Sequence, residues 1–164
     1  MKLKLFGTHL ESIFLYNSEL WTLTKSLEEQ IDSYHRRQLR KVIDIRWPEK
    51  ISNVNLYKRT KVTPWSTKIF KRRLSWLGHL LRLDTDTPAR KALNEFCKKT
   101  KAPRGRRKTT WLQIVLNDIK NFSKLTVTND VGETICILER IANNRKEWNG
   151  LIHSMMLSRT TSMQ

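Results

Sequence analysis

The chain has 164 residues, which suits one ordinary domain or two very small ones. It carries 32 Lys and Arg against 15 Asp and Glu, a formal net charge of +17, and a folded domain with this imbalance repels itself. Two cysteines are too few for a disulfide framework or a paired metal-binding knuckle, and no stretch approaches the roughly 18 apolar residues of a membrane span. We therefore expect a polyanionic partner, with nucleic acid first and an anionic membrane surface second.

The same features predict the compartment. Residues Met1 to Gly7 are too short and too basic for a signal peptide. We expect a soluble intracellular protein that is not secreted, located in the nucleus or in nucleus and cytoplasm, with Cys97 and Cys136 as reduced, buried thiols.

The apolar residues mostly recur at spacings of three and four, which predicts an all-α fold, a small multi-helix domain. One short apolar run, Ile13 to Tyr16, fits either an N-terminal strand or a buried helix. The first clear helix is predicted to open at Ser26, where Ser26 and Glu29 suit a capping box, and to end before Trp47-Pro48. Ser52 is expected to cap a short helix through Tyr57.

A central helix is predicted to start at Thr63-Pro64 and to reach about Leu83. Gly78 inside it costs about 1 kcal/mol relative to Ala, which predicts close approach by another helix. His79 is expected to be a core histidine. The core is predicted to include Ile69, Leu74, Trp76, Leu77 and Leu81.

Thr87-Pro88 repeats the start signal for a helix that reaches about Cys97. Thr109 or Thr110 is predicted to cap the next helix, and a last helical region is predicted from about Asp130 to Leu157, interrupted near Asn143-Asn144. The predicted organisation is an N-terminal helical region, a basic arm, a C-terminal helical region and a disordered tail, over residues 1–97, 98–108, 109–157 and 158–164.

The basic arm is the sharpest feature of the sequence. Seven of the eleven residues from Lys98 to Lys108 are Lys or Arg, and Pro103 and Gly105 favour an exposed loop. Such a loop can neutralise phosphates and release counterions, which gives affinity without sequence choice. A nuclear import signal and a merely solvated loop are the alternatives. The predicted nucleic-acid-binding residues of the arm are Lys98, Lys99, Lys101, Arg104, Arg106, Arg107 and Lys108.

A second basic cluster lies on the central helix, at Lys68, Lys71, Arg72 and Arg73. It fits a second binding face or an ordinary solvated face equally well. A third cluster runs from Arg36 to Lys41. Tryptophans can stack on bases, but Trp76 and Trp111 lie on apolar faces and are expected in the core, while Trp47 and Trp65 at helix ends are left open.

Catalytic patterns are missing from the sequence. The four histidines are scattered, no Gly-rich phosphate loop occurs, and no adjacent Asp pair suits two-metal chemistry. Asp84 and Asp86 fit a solvated turn better than a metal site. We expect no enzyme activity, no cofactor, no metal and no small-molecule substrate.

Several segments in order resemble one family. Leu15-Tyr16-Asn17-Ser18-Glu19-Leu20-Trp21 resembles a motif that follows the polymerase core of non-LTR (LINE-type) retrotransposon reverse transcriptases. The likeness continues through further segments and covers the chain from Lys2 to about Ile152. These segments are His35-Arg36-Arg37-Gln38-Leu39-Arg40, Trp47-Pro48, the most specific stretch Arg72-Arg73-Leu74-Ser75-Trp76-Leu77-Gly78-His79-Leu80-Leu81-Arg82, Gly105-Arg106-Arg107, and Ala142 to Trp148.

The resemblance implies a thumb-like or post-polymerase segment that helps to hold template and primer. Asn17, Leu20, Arg107 and Asn144 depart from the family pattern. Met1 stands after the position where the family's endonuclease and polymerase parts end, so the resemblance implies a non-catalytic C-terminal remnant that contacts RNA or DNA phosphates. The alternative is a degraded transposon-derived fragment with no selected function.

Overall fold

The computed structural model describes residues 1–97, 109–123, 125 and 130–162, and all regular structure in these ranges is helical. The all-α prediction is confirmed, and the run Ile13 to Tyr16 is helical as far as Phe14, so the strand alternative is wrong. A π-helical turn, Phe6–Leu10, joins α1 to α2, and a 3-10 turn, Ser18–Leu20, follows. The α-helices are α1 (Lys2–Leu5), α2 (Glu11–Phe14), α3 (Lys25–Val42), α4 (Asn53–Thr60), α5 (Trp65–Leu81), α6 (Pro88–Cys97), α7 (Trp111–Phe122), α8 (Val131–Asn143) and α9 (Arg145–Ser162).

The helix starts follow the capping chemistry of the sequence. Ser52 accepts a hydrogen bond from Asn55 N at 3.2 Å, and Thr110 forms a reciprocal capping box with Gln113. The predicted start at Ser26 is displaced, because Thr24 caps α3 by accepting from Leu27 N at 3.4 Å. The predicted interruption near Asn143-Asn144 is confirmed, since α8 ends at Asn143 and α9 begins at Arg145.

The chain forms two compact units, Met1–Phe70 and Lys71–Met163. The division falls inside α5 and differs from the predicted organisation, in which the first region extends to residue 97. Two separate sets of buried side chains account for the difference. Trp65 and Ile69 belong to the core of the first unit, whereas Leu74 and Leu77 are buried in the second.

The core of the first unit collects side chains from α3, α4 and α5, from the π-helical turn and from the residue after α2. Its buried members are Phe6, Leu15, Leu39, Leu56, Trp65 and Ile69. Asp32 ties α3 to the start of α5, because its carboxylate accepts from Ser66 N at 2.9 Å and from Ser66 Oγ at 2.6 Å. This buried carboxylate satisfies a backbone donor that the first turn of a helix leaves unpaired.

The second unit is organised around Trp148 of α9. Its indole is buried and donates from Nε1 to Leu74 O at 3.2 Å. The same indole lies over Gly78, where an added Cβ would stand 2.1 Å from Nε1. The predicted close approach at Gly78 is therefore confirmed, and its partner is Trp148.

Three predictions for α5 and the C-terminal tail need correction. Ile69, Leu74, Leu77 and Leu81 are buried as predicted, but Trp76 is half-buried beside His79, with ring centroids 5.2 Å apart. His79 is exposed and is not a core histidine. The predicted tail is helical as far as Ser162, because α9 continues to bury Arg159 near the Phe122 ring. The last two residues lie outside the described part.

Gly78→Ala tests the packing of Trp148. Alanine favours helix by about 1 kcal/mol over glycine, so an open site would gain stability. Here the new methyl group overlaps the indole, and we expect a net loss of about 1–3 kcal/mol in the free energy of unfolding. Chemical denaturation monitored by circular dichroism measures it. Gly150→Ala is the control, because nothing lies within 4 Å of its added Cβ. A Gly78→Ala protein as stable as the Gly150→Ala protein would contradict this packing.

Candidate nucleic-acid interface

The predicted basic arm lies outside the described residues. This covers Lys98, Lys99, Lys101, Arg104, Arg106, Arg107 and Lys108. Its role as a phosphate-binding loop stays a prediction, based on the crowding of seven cations into eleven residues.

The second cluster is not one uniform charged face. Lys71 and Arg72 are exposed on α5. Lys68 is half-buried, and its ammonium group pairs with Glu11. Arg73 is fully buried and its Nη2 lies 3.0 Å from Asp118 Oδ2 of α7. Lys71 and Arg72 therefore lie at the surface, whereas Lys68 is engaged within the first unit.

The position of Arg73 does not fit a phosphate contact. Its side chain has no exposed surface, and the carboxylate that it meets is 14% exposed. Burying a guanidinium without a negative partner costs several kcal/mol, so the pair is held inside the second unit. The prediction that Arg73 contacts phosphate is wrong, and its role is to connect α5 to α7.

Two further arginines are buried in the described ranges. Arg90 of α6 pairs with Glu139 of α8 at 2.9 Å. Arg159 of α9 lies 5.7 Å from the centre of the Phe122 ring, within the range of a cation–π contact. Both side chains serve packing within the second unit.

The third cluster, on α3, also contains both exposed cations and a cation held in contacts within the unit. Arg37 and Lys41 are exposed one turn apart. Arg40 is half-buried and donates to Asn53 Oδ1 at 2.8 Å and to Ile51 O at 3.4 Å. Arg37 and Lys41 therefore give the first unit a pair of surface cations on one face, since residues four apart are neighbours on a helix.

Trp47 and Trp65, for which the sequence predicts neither burial nor exposure, differ in burial. Trp65 is 1% exposed and belongs to the core, whereas Trp47, in the connection between α3 and α4, is 88% exposed. Trp111, expected in the core, is half-buried.

A polar cluster that sequence reasoning missed lies beneath α2 in the first unit. Glu11 accepts from Trp65 Nε1 at 2.9 Å and also pairs with Lys68. His35 stacks on Trp65 with ring centroids 4.5 Å apart, and the Phe6 ring lies near both, 5.9 Å from His35 and 6.1 Å from Trp65. Within the described part of the chain neither ring nitrogen of His35 has a hydrogen-bond partner, and Nε2 lies 3.7 Å from Glu11 Oε1.

His35 is held neutral by this environment. Burial first, and then the positive charges of Lys68 and Arg36, lower its pKa from 6.5 to about 3. Burial, with the charge of Asp32 next in importance, raises the pKa of Tyr57 to about 12. A neutral His35 and a Tyr57 phenol fit a structural role inside the unit.

One signal in the sequence locates His35. It stands four residues after Ile31 and four before Leu39, so it occupies an apolar stripe of α3. Asp32 and Glu11 carry no comparable signal, because their partners are 34 and 54 residues away.

Three further features of the described ranges bear on function: possible metal sites, the cysteines and membrane-spanning helices. In residues 1–97, 109–123, 125 and 130–162, no group of three or more His, Cys, Asp or Glu side chains is arranged to hold a metal ion. Both cysteines are free; Cys97 is half-buried and Cys136 is exposed, so the expectation of a buried Cys136 is wrong. In the same ranges no helix has the length and apolar content needed to cross a bilayer.

Comparison with known proteins gives no match: no family model, no curated protein and no solved structure is similar to this chain at a significant level.

The buried, neutral His35 predicts a pH dependence of stability. Below pH 6.5 the unfolded chain binds a proton at this histidine, whereas the folded chain binds it only near pH 3. The stability present above pH 6.5 is therefore lost as the pH falls, by about 1.4 kcal/mol per pH unit from this one group. His35→Phe keeps a stacked ring without a titrating group, so we expect its free energy of unfolding to fall less steeply between pH 6.5 and about 3.

Urea denaturation across this pH range measures the two slopes. His153→Gln is the control, because it removes an exposed histidine and leaves His35 in place. Parallel pH profiles for the wild-type and His35→Phe proteins would show that His35 is not buried in the neutral form.

Proposed function

We propose that this chain is a nucleic-acid-binding helical module that contacts RNA or DNA mainly through phosphates. We propose further that it corresponds to the C-terminal, post-polymerase region of a LINE-type reverse transcriptase, on the strength of the motifs from Lys2 to about Ile152. On this proposal the protein works in the nucleus and acts by binding, without catalysis.

The distribution of charge carries the proposal. In the second unit, Arg73 and Arg90 are each neutralised by a carboxylate, Asp118 and Glu139. In the first unit, Lys68 is neutralised by Glu11. Each of these pairs contains one cation and one anion, so together they contribute nothing to the net charge of +17.

The surplus therefore belongs to the rest of the chain. In the described ranges it includes exposed cations on α3, α4, α5 and α9, namely Arg37, Lys41, Lys58, Lys71, Arg145 and Lys146. The arm from Lys98 to Lys108 adds seven cations in eleven residues. A polyanion with regularly spaced charges releases counterions when such a surface binds it, which makes nucleic acid the best-fitting partner.

The engagement of the carboxylates supports binding rather than catalysis. Asp32 caps α5, Glu11 meets Trp65 and Lys68, and Asp118 meets Arg73. Asp86, from the closest pair of aspartates in the sequence, lies 3.3 Å from Lys91 and is almost fully exposed. Three of these carboxylates are engaged in structural contacts inside the units and the fourth is open to solvent, which fits a binding protein better than acid–base or metal chemistry.

Changing Arg104, Arg106, Arg107 and Lys108 together to Gln tests the arm. Each lost phosphate contact should lower the slope of log affinity against log salt by about 0.9 on duplex DNA and about 0.7 on a single strand. Binding should weaken similarly for all sequences, because phosphate contacts position a protein without specifying sequence. Fluorescence anisotropy with labelled duplex and single-stranded oligonucleotides at several salt concentrations measures both effects.

A charge-matched control separates the arm from total charge. Changing Lys2, Lys4, Lys25 and Lys120 together to Gln removes the same charge from exposed positions elsewhere. We expect the arm variant to lose more of the slope than this control, with the helical circular dichroism of both intact. A wild-type slope in the arm variant would eliminate the arm as a contact, and the absence of any salt-dependent binding by the wild-type protein would eliminate the proposed function.

A further inference from the structure

The connection between α3 and α4, residues 44–52, is held firmly on both sides of an exposed tryptophan. We call this segment the Trp47 turn. Ile45 and Ile51 pack against the core of the first unit. Ile45 N donates to Arg40 O at 3.0 Å, and the Arg40 side chain donates to Ile51 O and to Asn53 Oδ1. Both ends of the turn are therefore fixed to α3, and its apex faces solvent in a defined position.

Trp47 at the apex is 88% exposed, more than any other aromatic side chain of the described residues. Its sequence neighbours Arg46, Pro48, Glu49 and Lys50 are exposed as well. The indole is thus flanked by polar and charged neighbours and does not continue into an apolar patch along the turn. An anchored segment that presents a single large aromatic ring offers a flat π-face of the size of a nucleobase.

Exposed cations stand next to Trp47 in the sequence and on the following helix. Arg46 is paired with Asp44 at 2.7 Å, and Arg59 of α4 is paired with Glu49 at 3.1 Å, with all four side chains more than half exposed. Exposed ion pairs of this kind contribute little stability, so a phosphate can take either guanidinium group at little cost. Lys50 adds a third exposed cation in the same turn.

We propose that the Trp47 turn is a stacking site for an unpaired base of single-stranded RNA or DNA, with Arg46 and Lys50 meeting the adjoining phosphates. The inference rests on the proposed function and deepens it, because it names the strand state that is bound. In a duplex each base face is covered by its neighbours, so an indole on a fixed turn finds an open face only on a single strand, a bulge or an end.

A protein partner fits these observations less well. The centre of a protein–protein interface is depleted of charged residues and needs about 800 Å² of surface from each partner. Around Trp47 the turn supplies one apolar ring between charged side chains. An anionic membrane surface is the remaining alternative, since tryptophan and lysine both suit a membrane interface. The experiment below therefore measures vesicle binding separately.

The experiment compares variants of the full chain on two nucleic acids and one membrane. Labelled oligothymidine of about 15 nucleotides serves as the single strand, near the upper end of the site size of one binding module. A duplex of the same length and vesicles of phosphatidylcholine with phosphatidylglycerol complete the set. The variants are Trp47→Ala, Trp47→Phe and, as the matched control, Tyr16→Ala, which removes another exposed aromatic ring from the same unit.

We expect Trp47→Ala to weaken single-strand binding by roughly 5- to 100-fold, the usual effect of losing one stacked base, and to leave duplex binding unchanged. Trp47→Phe should retain part of the affinity, because a smaller ring still stacks. Tyr16→Ala should bind both nucleic acids like the wild-type protein. Unchanged helical circular dichroism shows that each variant is folded, which is expected because Trp47 is not part of the core.

Three results would overturn the inference. If Trp47→Ala weakens single-strand and duplex binding equally, or neither, the stacking site is wrong and the phosphate-binding function stands. If Trp47→Ala loses only vesicle binding, the turn is a membrane contact. If the wild-type protein binds neither nucleic acid in a salt-dependent manner, the inference and the proposed function fail together.

Discussion

The fold of the second unit depends on the ion pair between Arg73 and Asp118. A guanidinium loses its hydration when it is buried, and only a well-placed negative group offsets that loss. Asp118 of α7 supplies it at 3.0 Å, so Arg73 lies on the inward-facing side of α5. Leu74 and Leu77 are then buried, Gly78 meets Trp148, and Lys71 and Arg72 are left on the outside. A single internal pair thus separates structural cations from those available to a partner.

In the first unit, too, buried charged groups are matched by well-placed partners. Glu11 and Asp32 are held beneath the surface by Trp65, Lys68 and Ser66. On the exposed face of α3, Arg37 and Lys41 lie one turn apart. The turn after α3 is anchored to the core of this unit through Ile45 and Ile51, which leaves Trp47 in solvent beside Arg46 and Lys50. In each unit, therefore, internal neutralisation leaves a surface on which positive charge prevails.

Local signals in the sequence predict more of the helices than of the site. Capping at Ser52 and Thr110, and the close approach at Gly78, follow from chemistry within a few residues and are confirmed. Long-range partners are not visible in this way: charge alone placed Arg73 with the binding residues, although it stands four residues from Ile69 and four from Leu77, in the middle of a buried stripe. The predictions for His79 and Trp76 are wrong for a different reason. The apolar stripe that periodicity predicts on α5 is wider than the buried stripe in the structure, so His79 is exposed and Trp76 is half-buried. The role of the arm from Lys98 to Lys108 is a matter of charge density and remains a prediction.

Neighbouring cations of α5 have different tasks on this proposal, and a comparison of Lys71→Gln with Arg73→Gln distinguishes them. Each change removes one positive charge, and both proteins are measured for the salt dependence of duplex binding and for unfolding in urea. We predict that Lys71→Gln lowers the salt slope by about 0.9 with unchanged stability. Arg73→Gln should instead lose about 3–5 kcal/mol of unfolding free energy and, where folded, keep the wild-type slope. Equal stability of the two variants, or a lower slope in folded Arg73→Gln, would show that Arg73 does not have a purely structural role.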